Sequence, residues 1–466
     1  MNISLLAALV SISQQPSPAP ESFVARAVTL ALRIDYAAPK LSGSVTYELA
    51  NWTDHPARQV SFLAHRLMDV TRVTDGAGRA LRYSHDVVRF TDDPMRQVTQ
   101  VVVNLGRSIP AGGRTTVRLD YGGYLTGYTE VGWLYVKDHI DAAFTIIRQD
   151  ALAFPIVGGI HDAANRRQPL VDFLYDASVT VPARYVVASG GTSTRARNPD
   201  GTVTWRYVSG APSPFLNIAI APFDTLSAEG VRIFYFHGDS AGARHLLASV
   251  QTGLRTLTAW FGQRQGATNL VITEIPDGWG SQASAVGGII QTASAFRDTT
   301  RVGELYHELT HLWNARELDI PSPRWNEGLA TFLEALMQEQ LNGWTGRTDY
   351  YQRRITNLRT ALGQDSMLRR TPFVDYGKNR MTGASYRVGD LMFAVIYDLL
   401  GAERFNQVIG GYYQQFAAGG TTRDFVTYTT HASPALPRVF DDWLFTTRWT
   451  EHLSADSVAG IAAGYR

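Results

Sequence analysis

His307-Glu308-Leu309-Thr310-His311, then fifteen intervening residues, then Glu327 within Trp325-Asn326-Glu327-Gly328: these two stretches decide how the rest of the chain is read. The first lies in a segment that predicts a helix. Asp298 to Thr300 offers caps, and Leu305, Leu309 and Leu312 supply an apolar stripe. Residues four apart on a helix share a face, so both imidazoles can reach one metal ion. Glu308 sits one step round and can touch a water on that metal rather than the metal itself. Ile320-Pro321-Ser322-Pro323 cannot continue a helix and predicts a chain reversal. The reversal brings Glu327, at the head of a second apolar-periodic run from Leu329 to Met337, back towards the histidines. Glu327 would then complete a set of two imidazoles and one carboxylate with a fourth position open, as a catalytic zinc requires. An accidental H-E-x-x-H string would have no reason to carry the caps, the stripe and the reversal.

The bulk properties exclude several other chemistries. The chain has no cysteine, so disulfides, thiol catalysis and sulfur-ligated zinc are ruled out, and any zinc must sit on histidine and carboxylate. A net charge of +1 gives no electrostatic case for nucleic acid or an anionic membrane. The apolar share of 45% and charged share of 18% describe an ordinary globular protein, and 466 residues suffice for two or three domains. No apolar run reaches the roughly 18 residues of a spanning helix. Ile3 to Ile12 has the length of a signal-peptide apolar region. Ser11 and Ser13 can serve a cleavage site, and Pro16, Pro18 and Pro20 follow, although no Lys or Arg precedes the run. Export is therefore expected, with residues 1–22 as leader and Pro-rich linker.

From Val24 to about Phe223 the pattern is β. Val28 to Ile34, Ser44 to Leu49 and Thr115 to Asp120 alternate, and Asp75-Gly76 and Ala111-Gly112-Gly113 mark turns. Short strands at this spacing predict an antiparallel β-sandwich over 23–224. Near Phe223 the character changes. Ile233 to Phe236 and Leu270 to Thr273 read as strands, Ala241 to Phe261 as a long amphipathic helix, and helices dominate after residue 300. An α+β, mainly helical second domain is expected over 225–466.

The HELTH and WNEG segments resemble the gluzincin zinc metallopeptidases of the membrane alanyl aminopeptidase family, which includes the leukotriene hydrolases. His311-Leu312-Trp313-Asn314 is also similar to the HxWN of the glycyl aminopeptidases. The resemblance implies one zinc ion per chain on His307, His311 and Glu327, Glu308 as general base, a peptide substrate, a saddle-like N-terminal β domain and a thermolysin-like catalytic domain. The interval from His311 to Glu327 is roughly three residues shorter than in the family, a deletion that the loop holding Pro321 and Pro323 can absorb. Ser385-Tyr386-Arg387-Val388-Gly389 resembles the family's Y-x-x-G, 59 residues past Glu327, and implies Tyr386 as the donor to the oxyanion. Gly401 to Tyr413 and Phe440 to Leu444 resemble the elements that follow.

One part of the family pattern is missing. The family anchors a substrate α-ammonium with a glutamate in GxMEN, whereas Ser281 to Ile290 holds no carboxylate, and Ile146 stands near the second anchor. Gly287 and Gly288 could present backbone groups to an extended substrate, or could simply end a strand. Glu274, Asp277 and Asp390 are candidate replacement anchors, and Glu334, seven past Glu327, could orient a ligand histidine or be a solvated helix charge. His237, His245, His431 and His452 have no ligand spacing, and Trp313 and Trp325 are expected to pack beside the ligands. Three readings stay open: an aminopeptidase, an oligo- or endopeptidase or non-peptide hydrolase on the same scaffold, and an inactive peptide-binding protein. The last has no use for Glu308.

Overall fold

The computed structural model describes residues 21–125, 140–149, 151–161, 172–266, 269–284 and 286–466. The expected leader lies, up to residue 20, outside the described residues. The alternation of Phe23–Asp35 buries Val28, Leu30, Leu32 and Ile34 on one face, as a two-residue period requires. This strand is central to a seven-stranded sheet, ordered Thr192–Arg197, Thr202–Val208, Leu174–Pro182, Phe23–Asp35, Lys40–Asn51, Arg114–Gly123, Met68–Asp75. A four-stranded sheet of Arg82–Arg89, Gln97–Ile109, Ala57–Ala64 and Ile156–Val157 contributes to the same core, in which Val45, Phe62, Val101, Leu119 and Val179 are wholly buried. Pairing in both sheets is antiparallel with one exception. Phe23–Asp35 runs parallel to Leu174–Pro182, with Ala27 opposite Leu174.

A three-stranded sheet, Val186–Ala188, Asn217–Ala221 and Thr145–Arg148, carries this half onto the next. Phe144, Ile146, Ala219 and Phe223 share an apolar cluster with Phe234, Val271 and Ile290 of the following sheet and with Trp279 from the connection between two of its strands. Ile146 is fully buried there, and the nearby Arg148 donates Nη1–H to the Trp279 carbonyl at 3.0 Å.

The second half opens with a five-stranded sheet ordered Asp224–Ala228, Val231–Tyr235, Leu270–Ile275, Gly288–Thr292, Gln282–Ser284. Its three inner strands are parallel and both edge strands antiparallel to their neighbours. Helix α1, Ser240–Phe261, connects two of the parallel strands and buries Ala243, Leu246, Val250, Leu257 and Phe261 at helical spacing. The helices that follow are α2 (Ser294–Arg297), α3 (Val302–Thr310), α4 (Trp325–Asn342), α5 (Arg347–Gln364), α6 (Ser366–Arg370) and α7 (Thr382–Phe416). Gly401, at φ 72° and ψ 164°, breaks α7 into two helical stretches, because only glycine enters this region freely. The tyrosine-bearing helix thus begins at Thr382, a few residues before Ser385, and ends, as expected, at Gly401.

Two contacts bring the site elements together. α3 buries Leu305, Tyr306 and Leu309 beneath the sheet, and α4 buries Leu329, Phe332, Leu333 and Leu336 in the same core. α4 and α7 approach where Gly328 faces Gly389: a Cβ on Gly328 would lie 2.5 Å from the Gly389 Cα. Among the described residues no helix is long and apolar enough to cross a membrane.

Candidate metal centre

Asp298 accepts the Thr300 N–H and starts a tight turn that leads into α3, as its place before the apolar stripe predicts. His307 lies in the last turn of α3. His311 opens the 3₁₀ turn His311–Trp313 that follows, and their rings meet edge to face with centroids 4.9 Å apart. The loop through Pro321 and Pro323 then returns the chain to α4, whose first turn carries Glu327. Glu327 Oε2 lies 3.3 Å from Nε2 of each histidine. One ligand atom from each of the three residues falls within 4.8 Å of the others.

The donor set fits a zinc ion. Two imidazole nitrogens and one carboxylate oxygen converge, and the opposite ring nitrogens have partners that fix their tautomers. His307 Nδ1 is 3.5 Å from Glu334 Oε2, which places Glu334 at the ligand rather than on a solvated face. His311 Nδ1 is 2.8 Å from the Asn314 side-chain amide, while Asn314 Oδ1 is buried without a hydrogen bond. Turned about its last bond, that amide offers its oxygen to Nδ1–H and leaves the Nε2 lone pair for a metal. Burial opposes ionisation of Glu327, yet His311, His307 and Arg324 outweigh it and hold the carboxyl well below the usual range.

Glu308 is 7% exposed, and burial pushes its carboxyl up against the pull of both histidines. It lines a cavity of about 560 Å³ together with His307, Glu334, Glu304, Asp277 and Ser281. Tyr386, in the first turns of α7, stacks its ring against His307 with centroids 6.0 Å apart, and burial is the main reason its hydroxyl stays protonated far above neutrality.

Of the three candidate replacement anchors, the structure brings one to the cavity. Asp277 lines it and accepts the Ser294 N–H at 2.8 Å. Glu274 is fully buried in its strand and accepts the Phe236 N–H. Asp390 is corrected to a structural carboxylate: it is fully buried in α7, where Tyr350, Tyr351 and Arg354 donate to it. Gly287 and Gly288 form the turn between the edge strand and its neighbour and do not line the cavity. Gly287 N–H donates to Ser284 Oγ, and Gly288 has φ 79°, so the turn itself requires glycine. Trp313 donates to the Gly262 carbonyl and Trp325 stacks on Phe425, so both pack beside the site as expected. His452 pairs with Asp442 near the C-terminus, and His237 is exposed beside Asp224.

Three residues at the site escaped the sequence reading. Glu304 lies one turn before His307 on α3, which its three-residue spacing could have revealed; it accepts from Thr292 and is paired with Arg301. Glu317 turns inward in the connecting loop, where Oε1 accepts the Asn326 N–H and Oε2 the Arg324 N–H. Arg324, which caps α4 in the left-handed region at φ 58°, is ion-paired with Glu327. No local pattern marks the last two.

The fold is that of the two-domain M1 zinc metallopeptidases. A variant of one from Deinococcus radiodurans, solved with a Tyr-Ser-Ala substrate, is 19% identical and superposes with a TM-score of 0.66, covering 91% of this chain and 94% of its own. A two-domain M1 zinc metallopeptidase variant bound to L-tryptophan matches at 19% identity and TM-score 0.66, over 92% and 96% of the two chains. Yeast LTA4 hydrolase in complex with bestatin is similar over 94% of this chain and 71% of its own, at 14% identity and TM-score 0.68. No protein-family model and no curated protein sequence matches the chain.

Proposed function

We propose that the chain is a zinc-dependent peptidase that hydrolyses peptide bonds in the manner of an aminopeptidase. The observation that carries this reading is the convergence of His307, His311 and Glu327 with Glu308 beside them at the cavity and Tyr386 stacked on His307. A zinc ion held by the three ligands would polarise the scissile carbonyl and acidify a water molecule. Glu308 takes the proton from the attacking water and delivers it to the leaving amine, a shuttle suited to a carboxyl whose affinity for a proton is raised by burial. Tyr386 donates a hydrogen bond to the oxygen that becomes negative in the transition state. Glu334 holds His307, and Asn314 holds His311, in the orientation that ligation needs.

In this reading, acids of the cavity wall take the place of the amine-recognising carboxylate absent from Ser281 to Ile290. Asp277, Glu304 and Glu334 line the space next to Glu308, and although Arg301 lines it too and is paired with Glu304, the carboxylates outnumber it and favour a cationic group there. That acidic wall supports the aminopeptidase reading over an endopeptidase. The test is hydrolysis of one short fluorogenic peptide in free and N-acetylated forms by the zinc-loaded protein, with the Glu308→Gln variant as blank. Cleavage of the free form by wild type, with none by the zinc-retaining variant, is expected. Equal activity of wild type and variant removes Glu308 from its role, and equal cleavage of the blocked peptide replaces the aminopeptidase reading by an endo-acting one.

A further inference from the structure

The flank of the ligand set away from the acidic cavity carries a guanidinium with unused donors. Arg324 Nη2 is ion-paired with Glu327 and lies 3.5 Å from the Tyr386 hydroxyl, and its guanidinium carbon is 5.8 Å from the centre of the Tyr386 ring. Neither Nε nor Nη1 of Arg324 makes a hydrogen bond among the described residues, and the side chain is 46% exposed. If its task were only to brace Glu327, an enclosed and fully bonded guanidinium would serve better. The backbone holds Arg324 in this place in the left-handed region, which non-glycine residues seldom adopt, and Glu317 and Ser322 fix it there through its N–H at 3.0 and 2.9 Å.

Arg301 lines the cavity itself and is paired there with Glu304. The centre is therefore polar along its length, with Asp277, Glu304 and Glu334 at the cavity and Arg324 beyond Glu327 and Tyr386. A metal ion on Glu327 would neutralise the carboxylate that now balances Arg324 and leave the guanidinium in want of an anion. One edge of the guanidinium, the free Nη1–H together with the second hydrogen of Nη2, can hold a carboxylate in two parallel hydrogen bonds.

We infer that Arg324 binds the free C-terminal carboxylate of a substrate whose chain ends one residue past the scissile bond, so that the site prefers dipeptides. The inference rests on the peptidase reading, in which Tyr386 marks the scissile carbonyl oxygen. Successive Cα atoms are about 3.8 Å apart, so a carboxylate one residue beyond that carbonyl comes within reach of a guanidinium adjoining the Tyr386 hydroxyl. A longer peptide presents a neutral amide at the same point.

The test compares alanyl-alanine with its C-terminal amide. Calorimetric titration of the zinc-loaded Glu308→Gln variant, which does not turn either over, should show the acid binding at least about tenfold more tightly, as expected for a charge-assisted pair. Wild type should hydrolyse the acid in preference by a similar factor in kcat/KM. Adding Arg324→Met should erase the preference, and Arg324→Lys, which keeps the charge and loses the fork, should restore part of it. Equal binding and cleavage of acid and amide by proteins with Arg324 intact overturns the inference and leaves the peptidase reading standing, whatever the variants do. Retention of the preference in Arg324→Met overturns it also. No hydrolysis of either dipeptide by a zinc-loaded wild type that cleaves the fluorogenic peptide overturns the inference alone, and no hydrolysis of the dipeptides or of the fluorogenic peptide overturns both.

Discussion

Replacing Gly328 by alanine tests whether the contact between α4 and α7 sets the geometry of the site. Gly328 follows Glu327 directly, and Gly389 lies three residues past Tyr386 on the facing helix. The new Cβ would sit 2.5 Å from Gly389 Cα, 2.7 Å from its carbonyl carbon and 3.0 Å from Asp390 N, all backbone atoms that cannot rotate away. Ordinary carbon contacts need about 3.5–4.0 Å, so the helices must part by roughly 1 Å. Overpacking of this kind costs about 1–3 kcal/mol, here at the upper end because backbone meets backbone. Alanine returns up to about 1 kcal/mol through helix propensity. The net expectation is a loss of about 1–2 kcal/mol, a fall in Tm of roughly 2–8 °C for a domain of this size. Displacing Tyr386 from Glu327 by the same amount should lower kcat/KM by about ten- to a hundredfold. Gly363→Ala, in α5 with nothing within 4 Å of its added Cβ, provides the control and should be neutral or stabilising. The assays are thermal unfolding followed by circular dichroism and peptide hydrolysis with zinc at saturation. A Gly328→Ala protein with unchanged Tm and unchanged kcat/KM would refute the reasoning.

Tyr386→Phe should lower kcat by about 10²–10³ with little change in KM, since the hydroxyl acts on charge that appears only in the transition state; a loss below about threefold removes it from that role. Glu317→Ala should weaken zinc affinity, read by chelator competition, because the Arg324 and Asn326 N–H groups lose the carboxylate that seats the start of α4, and an unchanged affinity would show that the loop positions Glu327 without it. Glu274 is predicted to make stability fall as pH rises. Burial, aided by the neighbouring Asp239, pushes its carboxyl from 4.5 up to about 8, so between those values the folded chain keeps a proton that the unfolded chain has released. Stability present at the acid end is lost through that window. Glu274→Gln keeps an acceptor for the Phe236 N–H and should flatten Tm between pH 5 and 8, whereas an unaltered slope argues that Glu274 does not titrate there.

Local chemistry explains what the sequence revealed. HELTH and WNEG are legible because ligation imposes fixed spacing on helices, and the proline loop between them has one structural consequence, a reversal. The strands of the first domain show through their alternation, and Gly401 marks the break in α7 through a conformation only glycine adopts freely. Glu304, Glu317 and Arg324 were hidden because their roles depend on where α3, the loop and α4 meet in space. Asp390 looked like a pocket acid because burial and partners cannot be read from a helix position: Tyr350, Tyr351 and Arg354 arrive from α5. The parallel pairing of the first strand was invisible for the same reason, its partner lying far along the chain.

That pairing fixes an order of events during synthesis. Phe23–Asp35 is flanked by Lys40–Asn51 on one edge, but its other edge stays open until Leu174–Pro182 leaves the ribosome. At about 5–20 residues per second, the roughly 150 residues between Ala27 and Leu174 leave that edge unpaired for about seven to thirty seconds. An unpaired strand edge recruits other strands, so the newborn chain passes through a stage in which its first strand offers an open, sticky edge. Binding by a general chaperone should therefore concentrate on nascent chains arrested before residue 174 and decline sharply on chains long enough to expose residue 182.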